Sequence, residues 1–173
     1  HEINDLHGKT LGIIGKGSIG MKVGRIAKAF GMNINYFSVR NYKKTQFLKF
    51  LSSLDYLSVH CPLNEKTKDL ITIKELKIMK KNMILINTAR GGIVNENDLA
   101  KALKQKIIAG SGVDVTTSEP PKKSHPYYSI LNEANFIWTP HTAWASNETL
   151  QEAINQLIKN INSFYKGRKR NIV

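Results

Sequence analysis

The chain has 173 residues, with 26 Lys plus Arg against 13 Asp plus Glu, and a formal net charge of +13. At 41% hydrophobic and 23% charged residues it has enough apolar side chains for a sizeable core, which excludes intrinsic disorder and favours one domain, or one domain and a fragment. Its apolar runs fall short of the about 20 residues that a membrane-spanning helix needs, and one cysteine without a signal peptide predicts a cytoplasmic protein.

Short β-branched runs alternate with amphipathic stretches along the whole chain, which is typical of a parallel sheet covered by helices on both faces. The predicted strands cover residues 10–15, 33–38, 55–60, 83–88, 107–115 and 135–139. The predicted helices cover about 18–30, 44–51, 72–79, 95–103 and 146–166, and the Pro-rich stretch 117–128 is predicted to be an ordered loop. The pattern predicts the α/β class, with a doubly wound, three-layer sheet of the Rossmann type.

A glycine-rich turn lies between the first predicted strand and the first predicted helix. Gly15, Gly17 and Gly20 form a G-x-G-x-x-G pattern at the position that a phosphate site requires. Gly15 permits the tight turn, Gly17 lets a pyrophosphate approach the main chain, and Gly20 lets helix and strand pack closely. We therefore predict dinucleotide binding here, with a simple tight turn as the alternative.

The end of the second predicted strand bears on the choice of dinucleotide, because a carboxylate there binds the adenosine ribose hydroxyls. Ser38 holds this position, and Arg40, Lys43 and Lys44 follow it. A hydroxyl with nearby cations accepts a 2′-phosphate that a carboxylate would repel. The hypothesis is that NADP binds at least as well as NAD. In the alternative, Ser38 bonds the ribose of NAD and Arg40 is surface charge.

Residues suited to hydride-transfer chemistry follow the later strands: Arg90 after the fourth, Asp114 and Glu119 at and after the fifth, and His141 after the sixth. Because the carboxyl ends of parallel strands share one edge, where doubly wound folds bind ligands, we expect these side chains to converge. Reducing a 2-oxo acid needs a cation for its carboxylate and a proton donor for the new alkoxide, roles that suit Arg90 and His141. Glu119 would orient the imidazole and favour its protonated form. The alternative for each residue alone is an ordinary surface role.

Several motifs share these positions: GKGSIG at residues 15–20, VHCPLN at 59–64, INTARGG at 86–92, GVDV at 112–115 with Glu119-Pro120, and TPH at 139–141. Together they resemble the D-isomer-specific 2-hydroxyacid dehydrogenase family. Within that family, residues 119–121, 125–126 and 141–146 are most similar to glycerate dehydrogenases, also called hydroxypyruvate reductases. The resemblance covers nearly the whole chain and corresponds to the cofactor-binding domain.

The resemblance implies NAD or NADP as cofactor, no metal, and three catalytic residues. Arg90 would bind the substrate carboxylate and carbonyl, His141 would donate the proton, and Glu119 would be its partner. The implied cofactor contacts are Gly15, Gly17, Ser18, Ile19 and Gly20 at the pyrophosphate, Ser38 and Arg40 at the adenosine ribose, Cys61, Pro62, Thr88, Ala89 and Arg90 along the adenine and nicotinamide side, and Asp114, His141 and Ala143 at the nicotinamide. Ser38 departs from the family's commoner Asp, which leaves the choice of cofactor open.

Family members carry a second, substrate-binding lobe, formed mainly from the N-terminal part of the chain, and this sequence is expected to lack it. Residues 1–145 are then the dinucleotide-binding domain, and residues 146–173 are a C-terminal helix and tail that return towards that lobe. Because closure of two lobes completes such a site, we expect this piece to bind dinucleotide and to turn over slowly or not at all. The resemblance also implies a homodimer.

Two other functions compete with the enzyme, which would act on hydroxypyruvate or glyoxylate to give D-glycerate or glycolate. One is a dinucleotide-sensing, corepressor-like binding module without turnover. The other is nucleic-acid binding, which rests on charge alone. Of the 26 basic residues 21 are scattered Lys and only five are Arg, the usual residue for bidentate base and phosphate contacts. We interpret the charge as solvated surface and predict no nucleic-acid and no membrane partner.

Overall fold

The computed structural model describes residues 4–41, 43–133 and 135–172. The chain forms two compact units, His1–Pro140 and His141–Val173. None of the helices in this described part combines the length and the apolarity needed to cross a bilayer. The division into a dinucleotide-binding domain, residues 1–145, and a C-terminal helix and tail, residues 146–173, assigns functions to the two parts and stays a prediction.

The first unit is built on six parallel strands, in the spatial order β2-β1-β3-β4-β5-β6. The strands are β1 (Thr10–Ile14), β2 (Asn33–Phe37), β3 (Tyr56–Val59), β4 (Ile84–Asn87), β5 (Gly110–Val113) and β6 (Phe136–Trp138). The chain moves outwards from β1 to β2 and then crosses back to β3, so the order reverses between β1 and β3. This confirms the predicted doubly wound sheet, whose ligand crevice lies outside the carboxyl ends at that reversal.

Helices connect these strands. They are α1 (Ser18–Ala29), α2 (Lys44–Ser52), α3 (Ile73–Leu76) and α4 (Glu96–Lys104), with short 3-10 turns at Val39–Asn41 and Pro126–Ile130. Helix α4 begins at the cap Asn95, whose side chain accepts a hydrogen bond from the Asp98 N–H. The second unit contains α5 (Asn147–Tyr165), which Ser146 caps through the Thr149 N–H.

Two predicted elements are shorter than the sequence pattern indicates. The strand predicted over residues 107–115 is paired only over Gly110–Val113, because the apolar run also serves the turn that follows α4, where Lys106 has a φ of 53°. The helix predicted over residues 72–79 is α-helical only over Ile73–Leu76 and continues as turns. Its start is closed by a capping box between Thr72 and Glu75.

The core lies on both faces of the sheet, as alternation along the parallel strands requires. In β1, Ile14 packs into the larger cluster, which extends through Phe47, Leu57 and Leu85. Its neighbour Ile13 packs into a smaller cluster beneath α1. The strands therefore hold the loops at their carboxyl ends on a rigid base, and these loops carry the candidate site.

Candidate functional site

Two glycines shape the turn between β1 and α1, and close packing within the protein requires glycine at both positions. Gly15 has a φ of +103°, and a Cβ there would lie 2.4 Å from the carbonyl oxygen of His60. A Cβ at Gly20 would lie 2.2 Å from the carbonyl oxygen of Gly15 and 3.1 Å from Ile13 Cγ2. Only glycine fits either position without displacing main chain, so the turn is held tightly against β1 and β3.

Among the described residues, neither packing nor backbone conformation requires glycine at position 17. Its φ of −83° and ψ of −174° suit any residue, and an added Cβ would meet no atom of the described residues within 4 Å. It is the N-cap of α1, where Ser, Thr, Asp or Asn would cap better, and within the described chain no side chain caps this helix. Residues 16–19 are exposed, and the first turn holds no acidic residue. The helix start is thus an open, positively polarised end that fits a phosphate group.

Ser38 and Arg40 leave the carboxyl end of β2 and are both exposed. Arg40 lines a cavity of about 420 Å³ together with Val39, Asn64, Glu65 and Lys66. This cavity therefore lies between the segments that follow β2 and β3, and two cations and one carboxylate border it. Of the other predicted cations, Lys44 forms an ion pair with the buried carboxylate of Glu75.

The segment after β3 carries Cys61 and Pro62. Cys61 is 4% exposed, and burial raises the pKa of its thiol to about 11. Pro62 is exposed, and its carbonyl accepts a hydrogen bond from the buried Thr67 hydroxyl at 2.7 Å. His60 contacts the Ser58 hydroxyl through Nε2 at 2.8 Å, and burial lowers the pKa of its imidazole.

The turn after β4 places Arg90 at the same edge of the sheet. The buried side chain of Asn87 donates to the Arg90 carbonyl at 3.0 Å and accepts from the Ala89 N–H at 3.1 Å. Thr88 and Arg90 are exposed, and Ala89 is half-buried. The Arg90 guanidinium is solvent-exposed and donates to the Ala89 carbonyl at 2.6 Å. Asn87 fixes the main chain of this turn, so the guanidinium starts from a rigid base.

The turn after β5 brings in two predicted carboxylates. Asp114 is 3% exposed, and it accepts a hydrogen bond from the hydroxyl of Thr139, the residue after β6. Glu119 is exposed, and its Oε1 accepts from the Thr116 N–H at 3.0 Å. The structure thus places Arg90, Asp114 and Glu119 on neighbouring loops at the carboxyl edge of the first unit.

The remaining predicted site residues belong to the second unit. His141 is its first residue, is half-buried, and has a left-handed φ of 56°. Ala143 is exposed and lies in a short turn closed by the Ala145 N–H to the Thr142 carbonyl at 3.0 Å. The left-handed backbone marks the turn that leads from Pro140 towards α5.

Residues 1–143 match the family model described as D-isomer specific 2-hydroxyacid dehydrogenase, NAD binding domain. The chain belongs to this family.

Two curated relatives show how much of a longer protein the chain matches. The glycerate dehydrogenase of Methylorubrum extorquens is 42% identical over 100% of this chain and 55% of its own length. The glyoxylate reductase of Korarchaeum cryptofilum is 40% identical over 94% of this chain and 51% of its own length. The chain spans about half the length of the curated relatives that it matches.

Among solved structures, the D-isomer specific 2-hydroxyacid dehydrogenase of Lactobacillus delbrueckii ssp. bulgaricus, in its NAD-complexed form, superimposes with a TM-score of 0.88. The two chains are 30% identical, and the similarity covers 98% of this chain and 57% of the other. The family assignment confirms the resemblance on which the expected site residues rest.

Sequence reasoning missed two polar residues near this edge, Asn87 and Glu96. Asn87 follows a buried apolar strand, and an amide at the end of such a strand is a local signal for a turn-fixing role. Glu96 appears in the sequence only as negative charge at the start of a helix, whereas in the structure its buried carboxylate contacts Thr117 and His125. Within the described ranges, no three His, Cys, Asp or Glu side chains gather as a metal site would require.

Proposed function

We propose that the protein containing this chain is an NAD(P)-dependent D-2-hydroxyacid dehydrogenase. It reduces a small 2-oxo acid, hydroxypyruvate or glyoxylate, to D-glycerate or glycolate, and residues 1–145 are its dinucleotide-binding domain. The observation that carries the proposal is Gly17. Neither its backbone angles nor any described neighbour requires glycine, so the reason for the absent side chain lies outside the described residues. A pyrophosphate seated on the start of α1 supplies that reason.

The dinucleotide contacts follow the carboxyl edge of the sheet. We assign the pyrophosphate to the glycine turn, and the adenosine ribose to Ser38 and Arg40 beside the cavity after β2. The remaining contacts in this assignment are Gly15, Ser18, Ile19, Gly20, Cys61, Pro62, Thr88, Ala89, Asp114 and Ala143. Cys61 contributes apolar surface, because its raised pKa keeps the thiol protonated at neutral pH.

The choice between NAD and NADP turns on the end of β2. Ser38 stands where a carboxylate would repel a 2′-phosphate, and its hydroxyl carries no negative charge. The cations Arg40 and Lys66 border the adjoining cavity. Glu65 borders the same cavity and offsets part of their charge. We propose that NADPH binds at least as tightly as NADH. Dissociation constants measured for both cofactors test this, and a strong preference for NADH contradicts it.

The chemistry needs three side chains. When bound, the nicotinamide supplies the hydride to the carbonyl carbon of the substrate. Arg90 binds the substrate carboxylate and polarises the carbonyl oxygen, because an exposed guanidinium on a rigid turn offers paired donors in a fixed plane. His141 donates a proton to that oxygen as it becomes a hydroxyl, and Glu119 orients the imidazole. In the oxidation direction His141 takes the proton back.

The surface supports two further proposals about the whole protein. Ile26 of α1 and Phe30, the C-cap of that helix, are both exposed, and apolar side chains exposed in this way suit a homodimer contact. None of the described residues of α5 is buried, and its exposed Leu157 and Phe164 suit packing against a substrate-binding lobe. We also propose a cytoplasmic location and no nucleic-acid partner.

The test is a screen of the full-length protein for NADH and NADPH oxidation over a panel of 2-oxo acids. We expect turnover of hydroxypyruvate or glyoxylate, and a loss of about 100-fold or more in kcat for His141→Ala. His7→Ala is the matched control, because His7 is exposed and lies outside the assigned site. NADH binding without turnover of any 2-oxo acid would instead support a dinucleotide sensor. Unchanged activity of His141→Ala would remove the proposed proton donor.

A further inference from the structure

Glu96, the first residue of α4, holds a carboxylate that the chemistry above does not use. The residue is 9% exposed, and its buried carboxylate accepts three hydrogen bonds. Oε1 accepts from the Thr117 N–H at 2.7 Å, and Oε2 accepts from the Thr117 hydroxyl and from His125 Nε2, both at 2.8 Å. These partners lie 21 and 29 residues further along the chain, so the contact joins α4 to the loop after β5.

The imidazole of His125 is itself fixed on its other side. Its Nδ1 accepts a hydrogen bond from the Tyr127 N–H at 3.3 Å, so the proton of the neutral ring sits on Nε2 and points at Glu96. The ring stacks on Trp138 with centroids 5.4 Å apart and meets the edge of Tyr127 at 4.8 Å. Glu96 is therefore anchored to the core as well as to the loop.

The segment that Glu96 holds is residues 116–119, which we call the β5 loop. Within it, the Thr116 N–H donates to Glu119 at 3.0 Å and the Thr116 hydroxyl donates to the Ser118 carbonyl at 2.9 Å. The loop also abuts the turn that carries Arg90, since a Cβ added at Gly91 would lie 2.0 Å from the Thr116 carbonyl carbon. The β5 loop thus contacts the Arg90 turn, and Glu96 holds the same loop through Thr117.

We infer that Glu96 is a positioning residue for the reduction: it holds the β5 loop so that Glu119 and Arg90 keep one relative geometry. The inference rests on the proposed function, in which Glu119 orients the proton donor and Arg90 binds the substrate. A carboxylate is required because three donors converge on it. An amide of the same shape has one accepting oxygen, and its NH₂ group would face one of those donors.

Glu75 provides a matched control. It is 2% exposed, and its carboxylate accepts from the Thr72 N–H at 2.9 Å and the Thr72 hydroxyl at 2.6 Å and pairs with Lys44. Its hydrogen-bond count and burial thus resemble those of Glu96. None of these partners belongs to the Arg90 turn or to the β5 loop. Glu75→Gln therefore reports the cost of disturbing a buried carboxylate away from the reacting groups.

The experiment compares Glu96→Gln, Glu75→Gln and the unchanged full-length protein. Thermal unfolding, the NADH dissociation constant, and kcat and KM for glyoxylate are measured for each. We expect Glu96→Gln to lower kcat about tenfold, because small misplacements of catalytic groups are costly, and to leave NADH binding within about twofold. Glu75→Gln and Glu96→Gln should lower the unfolding temperature by similar amounts, because both disturb a buried carboxylate. Glu75→Gln should nevertheless keep kcat within about twofold of the unchanged protein.

Thr117→Val covers the case in which Glu96→Gln does not fold, because it removes one donor to the carboxylate and keeps the shape of an exposed side chain. It should lower kcat about threefold with KM nearly constant. A folded Glu96→Gln or Thr117→Val protein with unchanged kcat overturns the inference, and so does an equal loss in Glu75→Gln. If the unchanged protein reduces no 2-oxo acid, the proposed function fails and this inference fails with it; activity that both variants retain overturns the inference alone.

Discussion

The two halves of the sheet build their share of the candidate site by different means. Around β1 the proposed phosphate site is main chain, in a turn where Gly15 and Gly20 allow close packing and Gly17 leaves the helix start open. Around β4 and β5 it is side chains held by other side chains, with Asn87 fixing the Arg90 turn and Glu96 fixing the β5 loop. The first half depends on missing Cβ atoms, and the second depends on hydrogen bonds. Substitutions should therefore fail differently in the two halves.

The largest effect is expected at Gly15. Gly15→Ala adds a Cβ 2.4 Å from the His60 carbonyl oxygen at a φ of +103°, so we expect a loss of about 3 kcal/mol or more in the free energy of unfolding. Gly112→Ala in β5 is the control, because its Cβ meets nothing described within 4 Å and its stability should change by less than about 1 kcal/mol. Urea unfolding measures both, and equal stability of the two variants contradicts the tight turn.

Arg90 tests the side-chain half. Arg90→Met keeps the fold, because the guanidinium is exposed, and should lower kcat/KM for a 2-oxo acid about 100-fold or more. Arg40→Met, a matched change in the other half, alters a proposed cofactor contact and no substrate contact, so kcat/KM for the 2-oxo acid at saturating NADH should stay within about twofold. Steady-state kinetics with NADH as cofactor separates the two arginines. Equal losses would show that the halves do not divide the work as described.

A smaller effect is expected at Ser38. Ser38→Asp places a carboxylate beside the adenosine ribose, where it repels a 2′-phosphate and binds ribose hydroxyls. The ratio of the NADPH to the NADH dissociation constant should rise about tenfold or more, which corresponds to about 1.4 kcal/mol. Fluorescence titration with each cofactor measures the ratio. Asn35→Asp, which places the same charge at an exposed position within β2, is the control. An equal change in the ratio for both variants would show that added negative charge anywhere near β2 causes the effect, and not a contact of residue 38 with the ribose.

The smallest effect concerns Cys61. Since burial raises its pKa to about 11, the thiol stays protonated at pH 8, with about one molecule in a thousand as thiolate. We expect slow modification of the folded protein by a thiol reagent and rapid modification in urea. Equally fast reaction in both conditions would show that the segment after β3 opens readily, against the rigid main chain described for this half.

The fold could be predicted largely because its signals are local. Each strand appears as a short β-branched run, and the glycine turn occupies three positions within six residues. Boundaries were less predictable: apolar residues between Ile107 and Ala109 extend the pattern of β5, although strand pairing begins only at Gly110. Periodicity reports burial, and burial continues beyond the ends of hydrogen-bonded pairing.

The contacts that support the site could not be predicted, because they join distant parts of the chain. From the sequence, Glu96 is only a negative charge in the first turn of α4, and no nearby residue indicates that Thr117 and His125 are its partners. Lys44 likewise reads as a free cation near the ribose, whereas it pairs with Glu75, 31 residues away. In both cases a tertiary partner decides what a locally ordinary side chain does.

Calorimetric titration of NADH into the Gly17→Ala variant tests the central claim most directly. Because a Cβ at this position meets no described atom, the free energy of unfolding should fall by about 1 kcal/mol or less, the cost of Ala as the poorer N-cap. NADH affinity should fall at least about tenfold, because the methyl group keeps the pyrophosphate from the start of α1. An unchanged dissociation constant in a folded Gly17→Ala protein would contradict the assignment of the glycine turn to a dinucleotide.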